Sequence, residues 1–309
     1  MNMNSASPHG GGTHLVAGGS SPFRNLLDTV FRRVRTAFAF NGLGAVGFVL
    51  VLGIVLASIF APLIAPYHPT ELNRSERLQP PSRTHLFGTD AAGRDVFSRV
   101  LFGGRISLMV AVVVVAIAVT LGLVVGITAA LCGGLVDEIL MRSTDIFLAF
   151  PPLILAMAVN AGLGPGIVSA MLAVSFTWWP GYARMIRGQV LMTKSNLYVE
   201  AARAMGAPRW RMIVRHILPN CISPTIVQMT LDAGAVILTV AGLSFIGLGA
   251  QPPTPEWGSI ISEGHGYILT SWWWPTFPGV MLCLLVVGLN LVGDFLRDTL
   301  DPRLGKARN

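Results

Sequence analysis

Few side chains in this sequence have the spacing that bond chemistry requires. The three cysteines, Cys132, Cys221 and Cys283, lie in or beside apolar stretches without metal-binding or redox spacing, so we interpret them as small core residues. A G-x-G-x-x-G pattern at 42–47 opens an apolar stretch and follows no predicted strand, which argues against a dinucleotide site. No G-x-x-x-x-G-K-S/T, H-E-x-x-H or G-x-S-x-G pattern is present. We predict no catalytic residue, no metal site and no cofactor in this chain.

The composition indicates a membrane protein. Hydrophobic residues make up 52% of the chain and charged residues 12%, about half the charged share of an average soluble domain. The mean hydropathy is +0.63, and such a chain cannot hide its apolar surface inside a water-soluble globule. The net charge of +7 would suit nucleic-acid binding. In a membrane protein, however, Lys and Arg mark cytoplasmic loops, so we predict no nucleic-acid partner.

Six apolar stretches are long enough to cross about 30 Å of hydrocarbon as helices that rise about 1.5 Å per residue. They lie near 43–65, 107–131, 141–161, 165–185, 223–249 and 276–296. The third contains Pro151 and Pro152, which are predicted to kink it and to leave carbonyls that a neighbouring helix or water must satisfy. The sequence therefore predicts an all-α protein with six transmembrane helices.

The distribution of Lys and Arg predicts the orientation. With the N-terminus inside, 16 of the 22 basic residues fall in cytoplasmic segments, so both termini are predicted to be cytoplasmic. The first apolar stretch begins too late and is too long for a signal peptide. The predicted organisation is a partly disordered cytoplasmic tail at 1–40, a first transmembrane helix at 41–66, an external segment with an interfacial helix at 67–104, a five-helix core at 105–297 and a cytoplasmic tail at 298–309.

Two polar residues fall inside the fifth apolar stretch. Asp232 lies well within it, and Gln228 lies one helical turn earlier. A carboxylate at that depth must face water or a polar partner, because exposure to lipid is costly. Two interpretations stay open. The pair could line a substrate path and attract an ammonium group, or Asp232 could bond to a polar group on a neighbouring helix.

A polar segment at 194–220 has the signals of a helical hairpin. Glu200 lies early in the first helix, where a negative charge favours the positive end of the helix dipole. Gly206 lies where a left-handed glycine ends a helix. Pro208 suits the first turn of a second helix, and Pro219 is predicted to break or kink that helix.

The first helix of this hairpin, predicted over 197–205, has a surface suited to a partner protein. Ala201 and Ala202 are predicted to leave one face nearly flat. Four basic residues flank that face: Arg203, Arg209, Arg211 and Arg215. The pattern therefore predicts that the hairpin lies in a groove of another protein.

The predicted external segment combines acidic and basic residues at short spacing. Val96, Val100 and Leu101 recur at helical spacing, which predicts an amphipathic helix along the outer interface. Three residues could be read as metal ligands: His85, Asp90 and Asp95. Their spacing fits no standard site, so we favour Asp–Arg pairing that pins the segment.

The hairpin resembles the EAA loop of ABC importer permeases, whose pattern is E-A-A, three residues, G, nine residues, then I-x-L-P. The sequence matches this pattern at Glu200, Ala201, Ala202, Gly206, Leu218 and Pro219. It has His216 at the Ile position, which resembles the peptide-importer branch, where His-Ile-Leu-Pro-Asn is common.

A second resemblance lies outside the hairpin. The run 88–99 resembles the G-T-D-x-x-G-R-D-x-x-S-R signature of the C-type membrane subunit of dipeptide and oligopeptide importers. Its matching charged and glycine residues include Asp90, Gly93, Arg94, Asp95 and Arg99. Two further stretches, 247–258 and 290–302, resemble the last external loop and the C-terminal signature of that subunit.

The resemblance implies the type I ABC importer permease fold, in a bacterial inner membrane. It implies a homologous B-type permease, two ATPase subunits that carry ATP and Mg, an external solute-binding receptor and a peptide substrate. In that family the EAA loop docks on the ATPase. The implied coupling residues are Glu200, Ala201, Ala202, Gly206, Pro208, His216, Leu218 and Pro219.

Two alternatives remain at this point. The same type of importer could carry nickel chelates, glutathione or another small solute. A self-sufficient secondary transporter is a more distant possibility, because it would need ion-coupling groups and usually shows inverted repeats. The sequence shows neither feature, and the hairpin would then have no purpose.

Overall fold

The computed structural model describes residues 42–300, apart from the side chains of Arg203, Arg209 and His216. Over that range the chain is helical, and its one β-type pairing is an isolated bridge between Thr89 and Asp95. The predicted tail at 1–40 and the residues after Leu300 lie outside the described part.

Eleven α-helices follow one another in the described range. They are α1 (Gly42–Ile59), α2 (Ala61–Ile64), α3 (Val96–Cys132), α4 (Gly134–Leu148), α5 (Pro152–Leu163), α6 (Ile167–Lys194), α7 (Leu197–Ala204), α8 (Arg209–Met212), α9 (Leu218–Phe245), α10 (Trp257–Gly264) and α11 (Trp273–Leu300). Single turns of 3₁₀-helix occur at Arg74–Glu76 and His265–Tyr267, and a π-helical turn at Ile213–Ile217 joins α8 to α9.

Four helices, α1, α3, α9 and α11, are long and apolar enough to cross a membrane, and a fifth crossing is possible if α4 and α5 count as one. The structure therefore confirms the all-α prediction but not six spans. Within the stretch 141–161, α4 and α5 are separate helices that are bent by 92° at their junction, which is a sharper disturbance than the predicted kink. Pro152 occupies the first turn of α5, where its missing N–H breaks no helical bond.

The external segment also differs from its prediction. Val96, Val100 and Leu101 do not form a separate interfacial helix. They belong to the buried first turns of α3, which runs on without a break for 37 residues. Their spacing does correspond to a helix, but the face they form packs inside the protein rather than on the membrane surface.

Glycines set the closest helix contacts. Gly122 and Gly126 of α3 lie against α6, where a Cβ on Gly122 would overlap Tyr182 and a Cβ on Gly126 would lie 2.6 Å from the carbonyl oxygen of Ala183. On the other side of the bundle, a Cβ on Gly47 of α1 would lie 2.5 Å from the Cβ of Leu291 in α11. Small residues at these positions let backbones approach, as is common between membrane helices.

Candidate functional site

The first helix of the hairpin ends as its glycine predicts. Gly206 has φ +80°, and the N–H of Ala207 donates to the carbonyl of Ala202 at 3.1 Å. This hydrogen bond spans six residues and encloses a left-handed glycine. It is the Schellman arrangement, which satisfies the last carbonyls of a helix. The prediction that Gly206 terminates α7 is confirmed.

The second half of the hairpin connects directly to a long helix. The carbonyl of Pro208 accepts from the N–H groups of Arg211 and Met212, at 3.0 and 3.2 Å, so Pro208 opens α8 from the position just before it. The π-helical turn then leads into α9, which begins at Leu218 and holds Pro219 in its first turn. Pro219 thus lies at the change from a wide turn to regular α-helix, consistent with the predicted break.

The two alanines of the hairpin do not share a face. Ala202 is buried together with Val199, whereas Ala201 and Glu200 are exposed. The prediction of one flat alanine face is therefore wrong, because consecutive residues on a helix point about 100° apart and only Ala202 meets the protein. Ala201 and Glu200 remain available to a partner.

Large apolar side chains are exposed around Glu200 and Ala201. Leu197 and Met205 are each 82% exposed, and Trp210 of α8 is 64% exposed. We call these three residues the hairpin tip. Apolar side chains grouped on an exposed segment mark a protein-binding surface.

The base of the hairpin is tied to the ends of two other helices. The Nζ of Lys194 donates to the carbonyl oxygen of Ala130 at 2.8 Å, so the last residue of α6 satisfies a carbonyl in the last turn of α3. Two helical turns earlier in α6, the guanidinium of Arg187 pairs with the two carboxylate oxygens of Asp137 in α4, at 2.5 and 2.6 Å. The end of α6 at the hairpin base is thereby joined to both α3 and α4.

The signature residues of the external segment do come together. The Oδ2 of Asp90 accepts from the Nε of Arg94 and from the Nη1 of Arg99, each at 2.6 Å. Its Oδ1 accepts from the backbone N–H groups of Ala92 and Arg94, at 2.8 and 2.9 Å. Asp90 and Arg99 are fully buried. The predicted Asp–Arg pairing is confirmed.

Glu263 completes this group and was missed by sequence reasoning. It lies in α10 and accepts from the Nη1 and Nη2 of Arg99, at 2.9 and 3.0 Å, and also from Arg94. Two carboxylates therefore face two guanidinium groups and the formal charges balance. We call Asp90, Arg94, Arg99 and Glu263 the charged cluster. Arg99 and Glu263 lie 164 residues apart along the chain, so no local spacing in the sequence predicts their contact.

Asp95 and Gly93 have a separate structural role. Asp95 caps α3, since its Oδ2 accepts from the N–H and the hydroxyl of Ser98, each at 2.7 Å. Its Oδ1 lies 2.9 Å from the Nδ1 of His85. Gly93 has φ +78° and is pressed against the carbonyl of Asn73, where a Cβ would overlap. Within residues 42–300 no cluster of acidic, His and Cys side chains could hold a metal ion.

Asp232 has polar partners on its own helix and on a neighbour. The Nε2 of Gln228 donates to its Oδ1 at 2.9 Å. The buried hydroxyl of Tyr182 in α6 lies beside the carboxylate, at a geometry that falls short of a regular hydrogen bond. Gln228 and Asp232 are half-buried, so the group is neither sealed in the core nor fully open.

Comparison with known proteins identifies the family. Residues 118–306 match the model of the binding-protein-dependent transport system inner membrane component, and residues 29–81 match that of the N-terminal TM domain of oligopeptide transport permease C.

Named relatives cover most of the chain. It is 44% identical to the probable D,D-dipeptide transport system permease protein DdpC of Escherichia coli, over 93% of this chain and 97% of that protein. It is 45% identical to the dipeptide transport system permease protein DppC of Escherichia coli, over 86% of this chain and 91% of that protein.

A solved structure shares the fold. A chain of the inward-facing MetNI methionine ABC transporter superimposes with a TM-score of 0.54 at 21% identity, over 66% of this chain and 98% of that chain. The chain therefore belongs to the binding-protein-dependent transport system inner membrane components, and within them to the C-type permeases.

Proposed function

We propose that this chain is a permease subunit of an ATP-driven importer of dipeptides or oligopeptides. The observation that carries the proposal is the hairpin, which presents an exposed apolar tip while its base is tied to α3, α4 and α6. The relatives named as dipeptide permeases support the substrate class. The proposed partners are a homologous B-type permease, two ATPase subunits that bind ATP and Mg, and an external solute-binding receptor.

The proposed topology has six crossings and both termini in the cytoplasm. The crossings would be α1, α3, α4 together with α5, α6, α9 and α11. The amphipathic α4, which is bent by 92° from α5 and carries charged residues such as Glu138 and Arg142, would form the cytoplasmic end of the third crossing. This arrangement places the hairpin inside and the charged cluster outside.

Coupling would run through the base of the hairpin. Closure of the ATPase pair moves the hairpin tip, and the Arg187–Asp137 and Lys194–Ala130 contacts carry that displacement to α4 and α3. The other end of the hairpin continues without a loop into α9, which bears Asp232 and Gln228. We propose that this pair lines the path, where its carboxylate attracts the ammonium group of a peptide. Bond chemistry is left to the ATPase subunits.

Two matched glycine variants test the proposal. Gly206 and Gly164 both have positive φ, +80° and +90°, and open space around the Cβ position. A β-branched residue therefore strains both backbones, at least as much at Gly164, whose ψ of 161° lies in a region that essentially only glycine adopts, but only Gly206 belongs to the hairpin. We expect Gly206→Val to abolish ATP-driven uptake of a labelled dipeptide by the reconstituted transporter, whereas Gly164→Val, in the turn between α5 and α6, retains most of it.

Two results of the same assay would contradict the proposal. Full uptake by Gly206→Val would show that the hairpin does not couple ATP hydrolysis to transport. Uptake by this chain without ATPase subunits would show that it is no importer subunit. Membrane insertion is measured in parallel, so that loss of protein is not read as loss of coupling.

A further inference from the structure

A groove between α1 and α3 opens on the outer side of the proposed membrane region. Its volume is about 440 Å³, within the range of about 300–1,000 Å³ typical of small-molecule sites. Val55, Ser58 and Ile59 of α1 form one wall, and α3 forms the other with Leu108, Met109, Val112 and Val113. Apart from Ser58 and one cation, the walls are apolar.

That cation is Arg105, at the top of the groove. Its side chain is exposed, and its guanidinium lies 5.9 Å from the ring centroid of Phe102. Within residues 42–300, no carboxylate lies at ion-pair distance from it. Arg94 and Arg99 of the same external segment are, by contrast, paired with carboxylates in the charged cluster. Arg105 therefore keeps its charge and its donors available for an external ligand.

The position of Arg105 relative to the apolar wall defines the shape of that ligand. Arg105, Met109 and Val112 follow one face of α3, and Val112 is 70% exposed. From Arg105 to Val113 the helix rises roughly 12 Å, whereas one leaflet of hydrocarbon is about 15 Å thick. The predicted apolar stretch of α3 begins just after Arg105, which puts this cation at the depth of lipid phosphates. A ligand that fits has an anionic head and an aliphatic tail about one leaflet long.

We propose that this groove is a binding site for an anionic phospholipid of the outer leaflet, such as phosphatidylglycerol. Its phosphate pairs with Arg105 and one acyl chain lies along Leu108, Met109 and Val112. The charge selects an anionic head over a zwitterionic one, and the apolar wall retains the chain. The bound lipid would fill the space between α1 and the rest of the bundle. This proposal depends on insertion in a membrane, not on which solute the transporter carries.

Photocrosslinking in the assembled transporter tests the site directly. The probe is phosphatidylglycerol with a diazirine in one acyl chain, compared with the same label on phosphatidylcholine, in vesicles of matched composition. We expect the phosphatidylglycerol probe to label residues 106–113. One basic residue near a membrane surface contributes about 1 kcal/mol, so Arg105→Gln should reduce that labelling about fivefold. Arg105→Lys should retain most of it.

Two further variants separate charge from shape. Arg83→Gln removes an exposed arginine of the same external segment that lies outside the groove, and it should leave labelling unchanged. Val112→Trp should fill the groove and reduce labelling by both probes while Arg105 is intact. Equal labelling by both lipids, or no response to Arg105→Gln, would overturn the proposal. So would crosslinking of residues 106–113 to another subunit, because a protein would then occupy the groove.

Discussion

The charged cluster and the hairpin tip lie at opposite ends of α3, and they differ in how far their side chains are buried. The cluster buries Asp90 and Arg99 completely and pairs them with each other, and Arg99 also bonds to Glu263 of α10. The tip leaves Leu197, Met205 and Trp210 in the open. A buried, charge-balanced group fixes the relative position of two elements, because separating its members leaves unpaired charges. Exposed apolar side chains do not fix the position of any element. They contribute favourable free energy only when a partner covers them.

The comparison separates substitutions that damage the fold from those that damage binding. Changes in the charged cluster should unfold or misassemble the protein. Changes in the hairpin tip should leave the chain intact and cost association or coupling. Asp232, which is half-buried with one hydrogen bond from Gln228, should fall between the two.

The largest expected effect is that of Arg99→Met. This change leaves the buried Asp90 and the partly buried Glu263 with less positive charge beside them, and breaking a buried pair in this way costs about 3–5 kcal/mol. We expect loss of folded complex, measured as yield and as the midpoint of thermal unfolding. Arg142→Met is the control, because Arg142 is paired at 3.8 Å with Glu138 on an exposed surface, where ion pairs contribute little. If both variants were equally stable, the cluster would not be an anchor.

The next effect is on association rather than stability. Trp210→Ala removes an exposed aromatic side chain of the type that dominates protein interfaces, and such residues contribute about 2 kcal/mol or more. We expect the affinity for the ATPase subunit to fall about thirtyfold, with no change in the unfolding midpoint. Trp272→Ala, which removes an exposed tryptophan beside α11 that contacts Trp273 and Phe277, should leave the affinity unchanged. A stability loss in Trp210→Ala with unchanged affinity would assign the hairpin tip a structural role.

A smaller change is expected at Asp232. Asp232→Asn keeps the shape and the contact with Gln228 but removes the charge. If the carboxylate lines the path, uptake of cationic peptides should fall about tenfold at most, near the lower end of what a charged cleft gains by concentrating its substrate. Uptake of acidic peptides should not fall. Collapse of complex yield would instead show that Asp232 is structural and that the path lies elsewhere.

Sequence alone predicted those features that depend on neighbours in the chain. Gly206 ends a helix and Asp90 pairs with arginines four and nine residues away, and both follow from local spacing. Glu263 was out of reach, since its approach to Arg99 depends on how α10 packs on α3. The pattern of residues on α7 did not show which alanine faces inward, because Ala201 and Ala202 are identical in type and only packing distinguishes them.

Hydropathy likewise predicted where helices lie, but not where one helix ends and the next begins. Pro151 and Pro152 marked the right place for a disturbance, but the same two prolines are compatible with a kink or with the observed 92° bend. The periodicity of Val96 and Val100 correctly predicted a helix. Its assignment to the membrane surface was wrong, because Trp257 covers it, with its Nε1 donating to the carbonyl of Val100 at 2.9 Å. Amphipathicity shows that a face is covered and not what covers it.

The smallest expected effect concerns Glu256, which anchors α10 and so supports the charged cluster indirectly. Its carboxylate accepts from the backbone N–H groups of Gly258 and Ser259, at 3.0 and 2.9 Å. Burial raises the pKa of Glu256, and these hydrogen bonds only partly oppose that rise. A carboxyl whose pKa is higher in the folded state binds more protons there than in the unfolded chain. Its contribution to stability is therefore present at low pH and is lost as the pH rises through the folded-state pKa.

Glu256→Gln removes this titration and leaves one acceptor oxygen for the cap. We expect the wild-type chain to exceed the variant in unfolding midpoint by most at about pH 5 and by less as the pH approaches 8, in the same detergent and at constant ionic strength. Glu256→Ala, which lacks any cap, should be less stable than Glu256→Gln at every pH. An advantage of the wild type that grows with pH would mean that the Glu256 carboxylate is stabilised in its charged form. The two backbone N–H groups would then outweigh burial, and the cap would act as a fixed charge at the start of α10.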